Sequence, residues 1–244
     1  MKQRPKPLTR RLSGVKRLPS SALKRPLVVA AVHSLAGLRL AAKLKPGGVD
    51  ILELRLDALE PELAAVRRML PLLRLPVLIT ARHPAEGGLG RLSARRRREL
   101  FVEFLPRASL LDVELRSIRS MRGVIASARA RGVIVVVSDH HFRATPALAR
   151  MRARQRRAFA AGADVFKLAA AAGDARSMSR LLGFAACHSP GPRAIMGMGK
   201  FGQVSRLVLA RAGSVLNYGY LDRPNAPGQW EARELRTLLD RIGG

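Results

Sequence analysis

The sequence predicts a (β/α)8 barrel in a single domain, on three observations. Eight short apolar or β-branched runs follow residue 25. Longer Ala/Leu/Arg stretches of helical character separate them, and strand alternating with helix argues for a parallel sheet. The eight units occupy about 220 residues, a length at which barrels are routinely single domains. The strands are read, in order, in "LVVAAVHS" (27–34), "VDILELRLD" (49–57), "PVLITAR" (76–82), "SLLDVEL" (109–115), "VIVVVSDHH" (133–141), "DVFKLAA" (164–170), "PRAIMGMG" (192–199) and "GSVLNYGYL" (213–221). Helices are read between them, among others at 62–70, 94–105, 118–131 and 145–161. A doubly wound open sheet is the alternative. No G-x-G-x-x-G follows the first strand and no P-loop is present, which weakens its nucleotide-binding versions.

The 244 residues are 48% hydrophobic, ample for a large core, and carry a net charge of +28. Such a charge favours nucleic acid, anionic surfaces or an acidic metabolite as partners. Residues 1–25 hold nine basic residues and no acid, and are read as a basic, flexible arm ahead of a barrel spanning 26–244. The arm resembles a transit peptide as much as an anion-binding tail. Other basic runs, Arg95-Arg96-Arg97-Arg98 and "RMRARQRR" (150–157), read as solvated helix faces. Aromatics are only 4%, poor material for base stacking. One cysteine, Cys187, excludes an internal disulfide and cysteine-rich zinc sites. No apolar run approaches the roughly 20 residues of a membrane span.

In a barrel, function gathers at the C-terminal strand ends. Side chains alternate along the second strand, so Glu53, Arg55 and Asp57 share one face and Leu52, Leu54 and Leu56 the other. The leucines should pack on helices and the charges point into the barrel. Three inward charges are costly unless they pair or bind something polar. The third strand ends in Arg82, then "HPAEGG" with Glu86; the fourth carries Asp112 and Glu114. The fifth ends in Ser138, His140 and His141, the seventh leads to Arg206, and the eighth to Asn225 and Gln229.

The sixth strand holds Lys167. Only eight of the 45 basic residues are lysines, so an amine at this place is distinctive. A lysine snorkelling at a strand edge is the bland reading. A buried lysine, unlike an arginine, can lose its proton. Burial and nearby arginines would lower its pKa, and a neutral amine condenses with a ketone to a Schiff base. A histidine of near-neutral pKa suits proton transfer, and an arginine fork suits a substrate carboxylate. The residues thus suggest a Schiff-base lyase acting on an anionic keto compound, without metal or organic cofactor.

The stretches "VDILELRLD", "ITARHPAEGG", "VSDHHFRATP", "GADVFKLA", "MGKFGQVSRL" and "NAPGQ" resemble, in order and spacing, the type I 3-dehydroquinate dehydratases (3-dehydroquinases) from about residue 27 to the C-terminus. The resemblance implies a barrel lyase of the shikimate pathway, and so of aromatic amino-acid biosynthesis. Its reaction is the syn dehydration of 3-dehydroquinate to 3-dehydroshikimate, needing no cofactor, in the cytoplasm, often in a homodimer. Carried over, Lys167 resembles the Schiff-base lysine, His140 the proton-transfer histidine, and Glu86 the acid that orients it. Arg206 resembles the residue that holds the substrate carboxylate. Glu53, Arg55 and Arg82 resemble the residues that place the ring hydroxyls, with Gln229 closing over the substrate and Ser34 and Asn225 as further contacts.

The chain departs from the family pattern in several places. Asp139 and His141 flank His140 where an aromatic and an aspartate are common, which leaves His141 as a second candidate. Asn225 replaces a Ser or Thr. Ala212-Gly213-Ser214 replaces Phe-Gly-Ser, which should loosen packing near the mouth. The basic start stands where a hairpin would close the barrel base. Two rival readings remain. Another Schiff-base barrel, such as an aldolase, would share the lysine without this histidine, arginine and loop together. A basic RNA-binding scaffold would rest on the charge alone.

Overall fold

A computed structural model describes residues 16–243. Eight strands form one parallel sheet: β1 (Leu27–Val32), β2 (Ile51–Arg55), β3 (Val77–Thr80), β4 (Leu110–Glu114), β5 (Ile134–His141), β6 (Val165–Ala171), β7 (Arg193–Met198) and β8 (Leu216–Tyr220). Each pairs with its sequence neighbour, and β8 pairs with β1. The ring closes between β7 and β8 at a parallel bridge, Arg193 to Ser214, where the Val215 N–H donates to the Arg193 carbonyl at 2.8 Å. Eight helices pack outside: α1 (Leu35–Lys43), α2 (Leu63–Met69), α3 (Ala94–Phe104), α4 (Ile118–Ala130), α5 (Leu148–Ala160), α6 (Ala175–Ala186), α7 (Gly202–Arg211) and α8 (Ala232–Arg241). The (β/α)8 barrel of the sequence reading is the observed fold, with all eight strands where they were expected.

Strand alternation creates two separate cores. Leu52, Leu54 and Leu56 face outward and join the layer between strands and helices. Leu27, Val29, Ile51, Leu78, Leu110, Val136 and Val165 face inward and fill the lumen. Each fully buried Leu, Val or Ile contributes roughly 1.5–3 kcal/mol of transfer free energy, so the lumen is a packed plug and not a channel. The inward charges, two or four residues further along, are therefore forced to the mouth.

The base has its own seal. Residues Ser20–Lys24 form one 3-10 turn. Leu23 is buried with the lumen core, and Leu18 and Ala22 pack against the same cluster. The Ser109 hydroxyl donates to the Lys16 carbonyl. The end of the basic segment thus lies on the barrel floor. Residues 1–15 of the expected arm lie outside the described residues. Ala212-Gly213-Ser214 also belongs to this end: the Ser214 hydroxyl accepts from the Ile195 N–H at 2.9 Å and pins the β7–β8 seam. The loosening expected at the mouth is therefore not placed there, because residues before a parallel strand sit at its base.

Candidate active site

The mouth contains a cavity of about 100 Å³. Glu53, Arg55, Arg82, Glu86, His140, Lys167, Arg206, Asn225 and Gln229 all line it. Nine of the ten expected site residues thus converge. Ser34 does not line the cavity. It is the N-cap of α1, accepting from the Gly37 N–H at 2.9 Å while donating to Asp222. A serine just before an apolar helix is the usual capping signal, and the cap claims it.

Lys167 is 4% exposed. Its strand is in register with Ser138 of β5 and Ala194 of β7, which aims it into the lumen. Its Nζ lies 3.0 Å from Asp112 Oδ2 and 3.8 Å from Glu53 Oε1, and 3.7 Å from the centre of the Tyr218 ring. Burial pushes the amine below its ordinary pKa; the two carboxylates oppose this and Arg82 adds to it. Of the arginines expected to assist, Arg82 acts here. The snorkelling alternative does not describe it, because the ammonium is turned inward to Asp112 and Glu53 and lines the cavity.

Arg82 holds the frame around the amine. It is bidentate to Asp112, with both N–O distances 2.9 Å, and reaches Glu114 at 3.2 Å and the Ser138 hydroxyl at 2.6 Å. Burial would raise the Asp112 carboxyl, but Arg82 and Lys167 outweigh it and hold the group far below the carboxylate range. Arg97 comes in from α3 behind this layer, 1% exposed, and donates to Glu114, the Ala81 carbonyl and Ser117. The Arg95–Arg98 run is therefore not a uniformly solvated face. One turn of α3 has four positions and one of them must point inward. Arg55 pairs with Asp57 at 3.0 and 2.8 Å. Asp57 also accepts the Arg82 and Leu89 N–H groups, which fastens the loop that carries Glu86.

Glu86 ends a 3-10 turn, Pro84–Glu86, and the chain reverses at Gly87, whose φ of 81° suits glycine. Glu86 Oε2 accepts the His140 backbone N–H at 3.2 Å and lies 2.9 Å from His140 Nδ1. Since Oε2 already acts as an acceptor, Nδ1 carries the hydrogen and Nε2 is left as the base. Burial, with Arg82 and Lys167, keeps His140 well below its ordinary pKa, so it is neutral. Burial, with Glu114 and Asp139, raises Glu86 to about 7 against the pull of Arg82. His141 points the other way: its Nε2 lies 2.8 Å from Asp139, which is also gripped by Arg154 of α5. Alternation along β5 decides between the two histidines, and only His140 lines the cavity.

Arg206 closes the opposite wall from α7. Nη1 donates to the carbonyls of Gly228, Gly202 and Gly197 at 2.6, 2.7 and 3.0 Å, and Nε to that of Tyr218 at 2.9 Å. Nη2 makes no hydrogen bond, and no carboxylate pairs with this guanidinium among the described residues. Burial alone pushes it down to about 10, so it is charged at neutral pH. The 225–229 loop sits over it. Gln229 Oε1 accepts the Asn225 and Ala226 N–H groups at 2.9 and 3.2 Å, leaving its amide NH2 free to donate. The loop also meets α7 at a pair of glycines: a Cβ on Gly202 would lie 2.8 Å from Gly228 Cα, and Gly228 has φ of 72°.

The type I 3-dehydroquinase model matches residues 27–244. The chain belongs to that family. Type I 3-dehydroquinases are lyases that dehydrate 3-dehydroquinate through a lysine Schiff base with histidine acid–base catalysis, and this is the activity of the chain. The 3-dehydroquinate dehydratase of Methanosarcina barkeri is 32% identical over 233 residues, covering 90% of this chain and 96% of that one. That of Ignicoccus hospitalis is 34% identical over 211 residues, covering 84% and 91%. The Clostridium difficile type I enzyme, solved with covalently modified comenic acid, superposes with a TM-score of 0.80 at 28% identity, covering 89% of this chain and 92% of that one. Seven further lining residues escaped the sequence reading: Gly87, Phe142, Ala169, Met196, Met198, Tyr218 and Ala226. For Ala169, Met196, Met198 and Tyr218 the signal was alternation along the strands, but apolar types at those places look like core; Gly87, Phe142 and Ala226 lie beyond the strand ends.

Proposed function

We propose that Lys167 is the nucleophile of this 3-dehydroquinase, His140 its proton-transfer group and Arg206 its carboxylate anchor. The observation that carries the reading is Arg206, a buried cation with one free edge, no counter-ion and a place in the same cavity as the amine and the imidazole. A buried charge needs a partner, and a substrate carboxylate supplies it. The anchored keto acid then presents its carbonyl carbon to Nζ. The ammonium gives up a proton, the neutral amine adds, and the carbinolamine hydroxyl takes a proton back and leaves as water to give an iminium. His140 Nε2 takes a proton from C2, and the released pair flows into the iminium to form an enamine. The C1 hydroxyl departs as water with the proton from His140, and hydrolysis of the new iminium frees 3-dehydroshikimate and Lys167. Glu86 holds the imidazole through Nδ1. Glu53, Arg55 and Arg82 meet the ring hydroxyls, with Asn225 and Gln229 above them.

The test is borohydride reduction in the presence of 3-dehydroquinate, followed by peptide mass analysis. A substrate-derived adduct on Lys167 is expected. No adduct, or one on the exposed Lys200, overturns the assignment.

Location and partners are proposals of the same kind. Among the described residues no helix is long and apolar enough to cross a membrane. The cytoplasm, where the substrate's pathway runs in the resembled family, is the proposed site of action, and a homodimer the proposed assembly. Residues 1–25 are proposed to contact anionic partners. Salt-sensitive RNA binding that disappears when they are deleted supports this, and binding that survives the deletion refutes it.

A further inference from the structure

Tyr218 is one of only two tyrosines in the chain. It sits on the lumen side of β8 with its ring face under the Lys167 amine. Its hydroxyl is enclosed and has no hydrogen-bond partner among the described residues. A buried, unpartnered hydroxyl costs about 1–3 kcal/mol. Phenylalanine would supply the same ring without that cost. Burial, reinforced by the charges of Glu53 and Asp112, keeps the phenol well above its ordinary pKa, so it is a donor at neutral pH.

Counting donors shows where such a group is needed. The free ammonium has three N–H groups and faces two carboxylates, Asp112 and Glu53. Once the nitrogen is bonded to a substrate carbon as an iminium it keeps one N–H, directed by the plane of the double bond. At least one carboxylate then loses its share of the amine. Asp112 is still held by both arms of Arg82 and by Ser138. Glu53 retains one donor, the Thr80 hydroxyl at 2.8 Å.

We infer that Tyr218 is a positioning residue of the covalent stage: its hydroxyl donates to Glu53 when Lys167 becomes an iminium, while its ring stays under the cationic nitrogen. The inference rests on the Schiff-base reading of Lys167. It explains why the hydroxyl is unpaired in the free protein and why the ring lies against the amine.

The variant Tyr218→Phe, in the full chain, tests it. The melting temperature should be unchanged or higher, because an unpaired hydroxyl has been removed. KM should stay within about twofold, while kcat falls about ten- to hundredfold, as for a hydrogen bond to a charged group. In a Glu53→Gln background the same substitution should change kcat by no more than about twofold. A Tyr218→Phe protein with wild-type kcat overturns the inference. So does an equal loss in both backgrounds. So does a lowered melting temperature, which would mean the hydroxyl is already bonded in the free protein. The wild-type borohydride control separates the two claims. No Lys167 adduct there removes the Schiff-base reading, whereas a normal adduct with indifferent Tyr218→Phe removes this inference alone.

Discussion

Two buried arginines face each other across the mouth, and their surroundings are opposite. Arg82 is wrapped by Asp112, Glu114 and Ser138. Arg206 has four backbone carbonyls and, among the described residues, no carboxylate. A carbonyl dipole satisfies an N–H but does not neutralise a charge. The first arginine is therefore held in an ion-paired frame around the amine, and meets the cavity from within that frame. The second is the charge proposed to receive the substrate carboxylate. Similar burial and the same residue type conceal two functions, and only the bonding partners separate them.

The comparison breaks or sharpens by substitution. The largest effect is expected from His140→Ala, which removes the proposed proton-transfer group: kcat should fall about 10²–10⁴-fold while borohydride still traps some adduct on Lys167. A fully active variant would remove His140 from the mechanism. Next, Arg206→Met should lower kcat/KM about 10²–10³-fold, mostly through KM, the scale expected when a buried charge pair with the ligand is lost. Its melting temperature should change little, since an unneutralised buried cation leaves with it. If stability collapses instead, Arg206 is structural like its counterpart. Arg82→Met should differ by lowering stability as well as activity. It strands Asp112 and Glu114 in the interior and should cost about 3–5 kcal/mol in denaturant unfolding.

A smaller effect belongs to Glu86, whose folded pKa of about 7 lies above its unfolded value. A raised carboxyl favours the folded state while protonated. That contribution is present below about pH 4.5 and is lost as pH rises through about 7, on the order of 3 kcal/mol in all. Glu86→Gln should flatten the stability profile over that window and erase the limb of kcat near pH 7; an unchanged profile would mean the group is not raised. The smallest effect is expected for His141→Ala, within about twofold of wild-type turnover, because Asp139 and Arg154 hold that ring outside the cavity. A dead His141→Ala protein would reverse the choice of histidine.

The barrel was legible because alternation and strand count are local patterns. So were the charged site residues, since ionisable or amide groups at the end of nearly every strand mark the mouth of a barrel. Tyr218, Met196 and Met198 were not legible. An apolar side chain in a cavity and one in the plug below it share a face and differ only in height along the strand, which sequence does not encode. Arg97 was hidden for the converse reason: a run of four arginines looks uniform until the helix is docked. The capping role of Ser34 was not legible, because a capping serine and a ligand-binding serine occupy the same place at the end of a strand. The floor formed by Leu18, Ala22 and Leu23 was obscured by the charges around it.

The glycine pair Gly202 and Gly228 has a consequence for how this molecule can evolve. Loops at a barrel mouth are ordinarily the parts free to vary. Here the 225–229 segment rests backbone-on-backbone against α7, and the Gly228 carbonyl is also one of the four that hold Arg206. A methyl group at either glycine would wedge the two apart and shift the anchor with them. The most exposed wall of the cavity is thus among the least free to drift, and new substrate preferences in this lineage would arise more readily from Met196, Met198 or Phe142 than from the loop that covers them.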